Sequence, residues 1–267
     1  MSVATAFLKR DFSLSLSYRL SFFTQIFGIV FSVASFYFLS RLFGSAMVPQ
    51  LNQYGGDYFS FVLIGLAFTG YLSLSITSFA QSIREGQMMG TLEIMLLSPT
   101  RLSSILLSSS LWAYLLTTFN VVTYFIVGIL IFGFSIGQAN FLTAIVVLLL
   151  SIVSFSGVGI ISAAVILLVK KGDPITAIYG SLSGLLAGVF YPVAVLPDWL
   201  EPLSRVLPMT YALDSMRLAM LKGYTLYQVR FDLLVLVCFA LVLTPFSFFV
   251  FRKALKRAKM EGSLIHY

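Results

Sequence analysis

Between two long apolar runs stands the segment REGQMMGTLEIMLLSPTRLSS, Arg84 to Ser104. Two carboxylates, Glu85 and Glu93, and two guanidiniums, Arg84 and Arg101, sit there among methionines and leucines. Carboxylates at this spacing form ion pairs and cap helices, and nothing beside them looks like an activated base or nucleophile. The available chemistry is that of docking. Gly86 and Gly90 interrupt the pattern, Thr91 is placed to cap a new helix, and Glu93 falls in its positive first turn. Ser98 and Pro99 suit the N-cap and first position of the next element. The expected object is a helix of about two turns whose apolar residues, Met88, Met89, Leu92, Ile94, Met95, Leu96 and Leu97, cannot all turn inward. They need either headgroups or a protein partner, and methionine suits a contact that repacks.

Elsewhere the chain is poor in reactive groups, and that poverty discriminates among functions. The one histidine, His266, is second from the end, and the one cysteine, Cys238, stands inside an apolar run where it packs as a small hydrophobe. No G-x-x-x-x-G-K-[ST] motif occurs, which excludes a P-loop of the chain's own, and the lack of H-E-x-x-H or of any nucleophile beside an activated base disfavours an intramembrane hydrolase. The interiors of the apolar runs hold no ionisable residue, only Gln25, Asn120 and hydroxyls. That disfavours coupling to an ion gradient. If transport is driven by ATP, another polypeptide hydrolyses it, and this chain carries no cofactor of its own.

The elements that must position the docking segment follow from composition. Of 267 residues, 59% are hydrophobic and 10% charged, with mean hydropathy +0.98, which no soluble domain of this length can bury. The expected fold is an all-α integral membrane protein with six spans, at about 20–42, 58–82, 103–132, 141–169, 175–196 and 233–251. Both termini then share one side, which holds 12 of the 17 basic residues, so the positive-inside rule makes it cytoplasmic. Lys9, Arg10 and Asp11 break what would be the apolar core of a cleaved leader. Ala4, Leu8, Phe12 and Leu16 instead form one row of an interfacial amphipathic helix within residues 1–19.

In the fifth run, Gly180, Gly184 and Gly188 repeat every four residues, a surface for close helix packing within the chain or across a dimer. Pro192, Pro197, Pro202 and Pro208 chop the segment of about 190–223 into short helices that dip into or lie on the outer leaflet. Tyr191, Trp199 and Tyr211 supply its interface anchors, and Asp214 and Arg217 form an i, i+3 pair. Residues 253–267 make a basic cytoplasmic tail suited to anionic headgroups. The transmembrane domain is thus expected over 20–252, with the docking helix at about 86–98.

The docking segment also resembles a family signature. The run E-G-Q-M-M-G-T-L-E-I-M-L-L-S-P is similar to the E-x-x-x-G-T-[LM]-E-x-[LM]-x-x-[ST]-P pattern of ABC-2-type permeases, with Glu85, Gly90, Thr91, Leu92, Glu93, Ser98 and Pro99 on its characteristic positions. FYPVAVLPDWLEPLSRVLPMTYALDSMR is similar to the run before that family's last span. The resemblance implies a homodimer with two separately encoded ATPase subunits, which carry ATP and Mg, in a bacterial plasma (inner) membrane. It assigns Arg84, Glu85, Gly90 to Glu93 and Met95 to Pro99 to ATPase docking, as a coupling helix, and makes the turn Lys171, Gly172, Asp173, Pro174 a second cytoplasmic contact. The expected function is export of an amphipathic or lipid-like substrate, a drug or a lipid. Lipid-linked polysaccharide is the alternative cargo, and a stand-alone carrier or channel is the rival class. Membrane lipids are expected partners; nucleic acid is not.

Overall fold

The computed structural model describes residues 3–17, 19–43, 49–90, 102–169 and 173–260. Among them, every regular element is helical. In chain order they are α1 (Val3–Ser17), α2 (Arg19–Phe43), a 3₁₀ turn at Pro49–Tyr54, α3 (Tyr58–Met88), α4 (Leu102–Phe132), α5 (Phe141–Val169), α6 (Pro174–Leu186), a 3₁₀ turn at Val193–Val195, α7 (Glu201–Val206), α8 (Pro208–Lys222) and α9 (Arg230–Met260). Helices α2, α3, α4, α5 and α9 are long and apolar enough to cross a bilayer, so the chain is an all-α, multi-pass membrane protein.

Helix α3 is the centre of the bundle. Asp57 caps it by accepting from the Phe59 and Ser60 amides, and its side chains are buried along most of its length from Phe59 to Ile83. Helix α5 packs along α3, and α9 packs along α5. On α2, Phe23, Phe27, Phe31 and Phe38 each expose more than half their surface, as a helix facing lipid requires.

Lipid supplies no hydrophobic drive between helices, so contact must come from small residues and shared hydrogen bonds. Helix α5 provides both. A Cβ on Gly159 would stand 2.7 Å from the Ser75 and Ile76 carbonyl oxygens of α3, and one on Gly157 would stand 2.8 Å from Leu243 Cβ of α9. The Ser154 hydroxyl, one turn away, donates to the Leu236 carbonyl at 2.8 Å. By contrast Gly180 and Gly184 face open space, and Gly188 lies beyond the end of α6 in a left-handed turn. The close packing expected of those three glycines within the chain is therefore made by Gly157 and Gly159.

Three boundaries differ from the sequence expectation. Helix α3 runs through Gly86, which is buried inside it, and ends at Met88, so residues 86–88 belong to the core helix rather than to a separate docking helix. Propensity disfavours a helical glycine by only about 1 kcal/mol, which tertiary packing overrides. The fifth run is helical only over Pro174–Leu186, 13 residues or roughly 20 Å. It stops there because Gly188 takes φ +74° and Pro192 follows; hydropathy alone did not mark that stop. Helix α9 continues to Met260, because Phe251, Ala254 and Ala258 form an apolar stripe on Phe79, Ile83 and Leu167. Much of the expected basic tail is thus a packed helix. Thr91 to Arg101, Lys170 to Gly172 and Glu261 to Tyr267 lie outside the described residues.

Replacing Gly159 by leucine should separate α3 from α5 and lower the melting temperature in detergent sharply, since overpacking a tight contact costs about 1–3 kcal/mol or more. Gly180→Ala, in open space, should leave it unchanged; equal effects of the two would contradict this packing.

Candidate functional site

Three regions carry the candidate functional residues. The first is the end of α3. Arg84, Glu85, Met88, Met89 and Gly90 are all exposed, with Met88 at 65% and Met89 at 74%, and Gly90 leaves the helix with φ +65°. The rest of the expected docking set, Thr91, Leu92, Glu93, Met95, Leu96, Leu97, Ser98 and Pro99, lies outside the described residues, as do Lys171 and Gly172 of the second contact. Asp173 is described, and it is turned toward the protein. It caps α6 by accepting from the Thr176 amide at 3.0 Å and takes a hydrogen bond from the Ser162 hydroxyl of α5, with Pro174 starting the helix.

The second region is the groove between α3 and α6, a cavity of about 230 Å³ lined by Thr69, Ser73, Thr77, Tyr179, Gly180 and Ser183 among others. It contains no charged residue. Thr69 and Thr77 turn their hydroxyls back onto carbonyls of their own helix, at 2.6 and 3.0 Å. Tyr179 and Ser183, one turn apart on α6, are buried at their oxygens, and neither makes a hydrogen bond of good geometry. The open small face of Gly180 and Gly184 is part of this wall. Hydroxyl acceptors and donors beside a smooth helix surface hold an uncharged or amphipathic molecule without offering a counter-ion.

The third region is a knot of charge at the far end of the bundle from α1. Arg217 of α8 is 2% exposed, and it donates from Nε to the Phe61 carbonyl at 3.1 Å and from Nη2 to the Val189 carbonyl at 2.9 Å. Its guanidinium carbon lies 3.5 Å from the centroid of the Phe61 ring. The arginine has room because Gly65 sits beside it, where a Cβ would be 2.6 Å from the Val189 oxygen. One side chain thereby joins α8, α3 and the chain leaving α6. Asp214 and Arg217 do not form the expected ion pair; Asp214 accepts instead from the Tyr54 hydroxyl. Burial raises the Asp214 carboxyl above the ordinary range, against the opposing pull of Tyr54 and Arg217. Burial likewise raises the Tyr54 phenol, with the Asp214 charge adding to it.

Around this knot lie the remaining expected residues. The Tyr191 hydroxyl donates to the Leu185 carbonyl, Pro192 is buried, and Pro197 accepts from the Leu200 amide at 2.8 Å. Trp199 is 72% exposed, Pro208 starts α8, and Tyr211 lies 6.3 Å from the Phe231 ring. The sequence pattern marks Arg217 only as half of an i, i+3 pair with Asp214. Its signal was an arginine inside the apolar row Leu213, Met216 and Met220, where a charge has no solvent-facing position.

A model of the family described as ABC-2 type transporter matches residues 4–221, which include α1 through nearly all of α8. No curated protein matches the sequence.

Arg217→Met should cost about 2–4 kcal/mol by orphaning two buried carbonyls, read as a lower melting temperature. Tyr54→Phe tests the Asp214 bond through pH. That hydrogen bond favours the carboxylate, so its removal raises the folded-state pKa of Asp214 further, and stability is then lost as pH rises. The deficit of Tyr54→Phe relative to wild type should be larger at pH 8 than at pH 5; a pH-independent deficit would show that Asp214 is not ionising.

Proposed function

Because the chain belongs to the ABC-2 type transporter family, whose model covers most of its length, we propose that it is the membrane subunit of an ATP-driven exporter. ATP and Mg are handled by a separate ATPase subunit, present in two copies beside two copies of this chain. The observation that carries this reading is the continuity of α3. The most deeply buried helix of the bundle ends in the exposed pair Met88 and Met89 and leads through Gly90 directly into the segment Thr91 to Pro99. Force applied to that segment passes into the core without a flexible joint before Gly90.

In this reading the helix at Thr91 to Leu97 is the coupling helix, seated on the ATPase with Glu93 facing basic groups. The end carrying α1 faces the cytoplasm of a bacterial cell, consistent with the 12 basic residues on that side. The turn before Pro174 makes the second, smaller contact, through Lys171 and Gly172 rather than through the inward-turned Asp173. The segment from Phe190 to Gly223 forms the outer re-entrant closure. The groove between α3 and α6 is one wall of the transport path, and the open face of Gly180 and Gly184 is turned toward the second copy.

The cargo that suits this wall is amphipathic or lipid-like. A lipid-linked glycan path calls for several aromatic rings to stack sugars, whereas among the described residues Tyr179 is the groove's one aromatic.

Glu93→Ala with Leu96→Ala should lower co-purification of the ATPase, or coupled transport, by tenfold or more if about 1.4 kcal/mol of contact is lost, while membrane insertion is unchanged. Transport by purified protein with no ATPase present would overturn the reading.

A further inference from the structure

A second cavity, of about 270 Å³, lies at the α1 end of the bundle, under α1 and between α3 and α4. Its chemistry differs from that of the groove. Arg10 and Asp11 of α1 enter from one side, Ser78, Ser82 and Glu85 of α3 from another, and Ser109 of α4 from a third. Ser82 and Ser109 are joined hydroxyl to hydroxyl at 2.8 Å. Ser78 is 6% exposed, and its hydroxyl, close to the Tyr114 phenol, makes no hydrogen bond of good geometry. Glu85 makes no ion pair among the described residues. A cavity lined by both charges and by serine hydroxyls, one of them buried without a well-formed hydrogen bond, suits a polar ligand.

The depth of the cavity narrows the ligand. A hydrocarbon core of about 30 Å takes about 20 residues of helix. Measured from the far ends of α3 and α4, that length brings its near boundary to the level of Ser78 and of Trp112. Phe12 of α1 meets Trp112 edge to face at 5.6 Å, which holds α1 at that level. The cavity, from Ser78 to Glu85, therefore occupies the headgroup layer. It is also separate from the transport groove: at 100° per residue, Ser78, Ser82 and Glu85 lie nearly opposite Thr69, Ser73 and Thr77 on α3.

We propose that this cavity binds the headgroup of a phospholipid bearing a primary amine, phosphoethanolamine on a diacyl lipid. Arg10 spends its Nε on Asp11 at 2.7 Å and keeps its terminal nitrogens for the phosphate. The ammonium, with three hydrogens to donate, meets Glu85 and the Ser82 and Ser109 hydroxyls. A trimethylammonium cannot donate those bonds, and a glycerol headgroup brings a net anion to Glu85 with no ammonium.

Native mass spectrometry of the full-length permease, purified without any ATPase, separates this role of Glu85 from docking. With phosphatidylethanolamine, phosphatidylcholine and phosphatidylglycerol added in equal amounts, the ethanolamine lipid should be retained about tenfold or more over the choline lipid, as one charge-assisted hydrogen bond implies. Glu85→Gln should erase that preference, and Arg10→Gln should lower the retention of all three lipids together, each at an exposed position and with the melting temperature unchanged. Equal retention of the ethanolamine and choline lipids by the wild type, a preference surviving Glu85→Gln, or phospholipid retention unchanged in Arg10→Gln would overturn the proposal. So would complete displacement by equimolar soluble O-phosphoethanolamine, since the acyl chains are part of what is bound.

Discussion

Backbone contact between α5 and its two neighbours is the constraint on which the rest of the molecule depends. Helices in lipid gain nothing by hiding apolar side chains from one another, so they must gain it from atoms in close touch. Gly159 brings α5 onto the carbonyls of Ser75 and Ile76, and Gly157 with Ser154 brings α9 onto the other side of α5. Once α3, α5 and α9 are held so closely, their relative heights are set, and the shorter pieces between Asp173 and Arg230 have a frame to fold against.

The second determinant is electrostatic. A guanidinium buried at 2% exposure is tolerable only where its donors are met, and Arg217 finds two carbonyls and a ring face for the purpose. Those carbonyls belong to segments that no continuous helix connects, the first turn of α3 and the chain after Leu186. The arginine thus substitutes for the backbone hydrogen bonds that a longer α6 would have made. Tyr54 with Asp214, and Ser215 with Asp232 at 2.8 Å, extend the same network to the 3₁₀ turn and to α9.

Helix α3 links the functional regions. One face lines the uncharged groove with α6, the nearly opposite face lines the charged cavity beneath α1, its first turn accepts Arg217, and its last turn presents Met88 and Met89. A displacement along or about this helix reaches all four places. On the proposed function, that is how a push at the coupling segment is felt at the groove and at the outer closure, and a lipid headgroup wedged under α1 bears on the same helix.

The sequence by itself determined the class of the protein, because hydropathy and the scarcity of charge are local sums that need no knowledge of neighbours. It marked four long spans to within a few residues and the start of a fifth, the helix at the N-terminus, the cap at Asp173 and the family signature around Thr91. It left open what depends on a neighbour. Gly180 and Gly184 had the spacing of a packing face and meet nothing within the chain, while Gly157 and Gly159, too close in sequence to form such a row, make the tight contacts on two different partners. Asp214 and Arg217 had the spacing of an ion pair and were each claimed by groups more than twenty residues away. Periodicity reports which side chains share a face of one helix; only the tertiary structure decides what that face meets, since the partner's distance and hydrogen-bonding groups are set by chain remote in sequence.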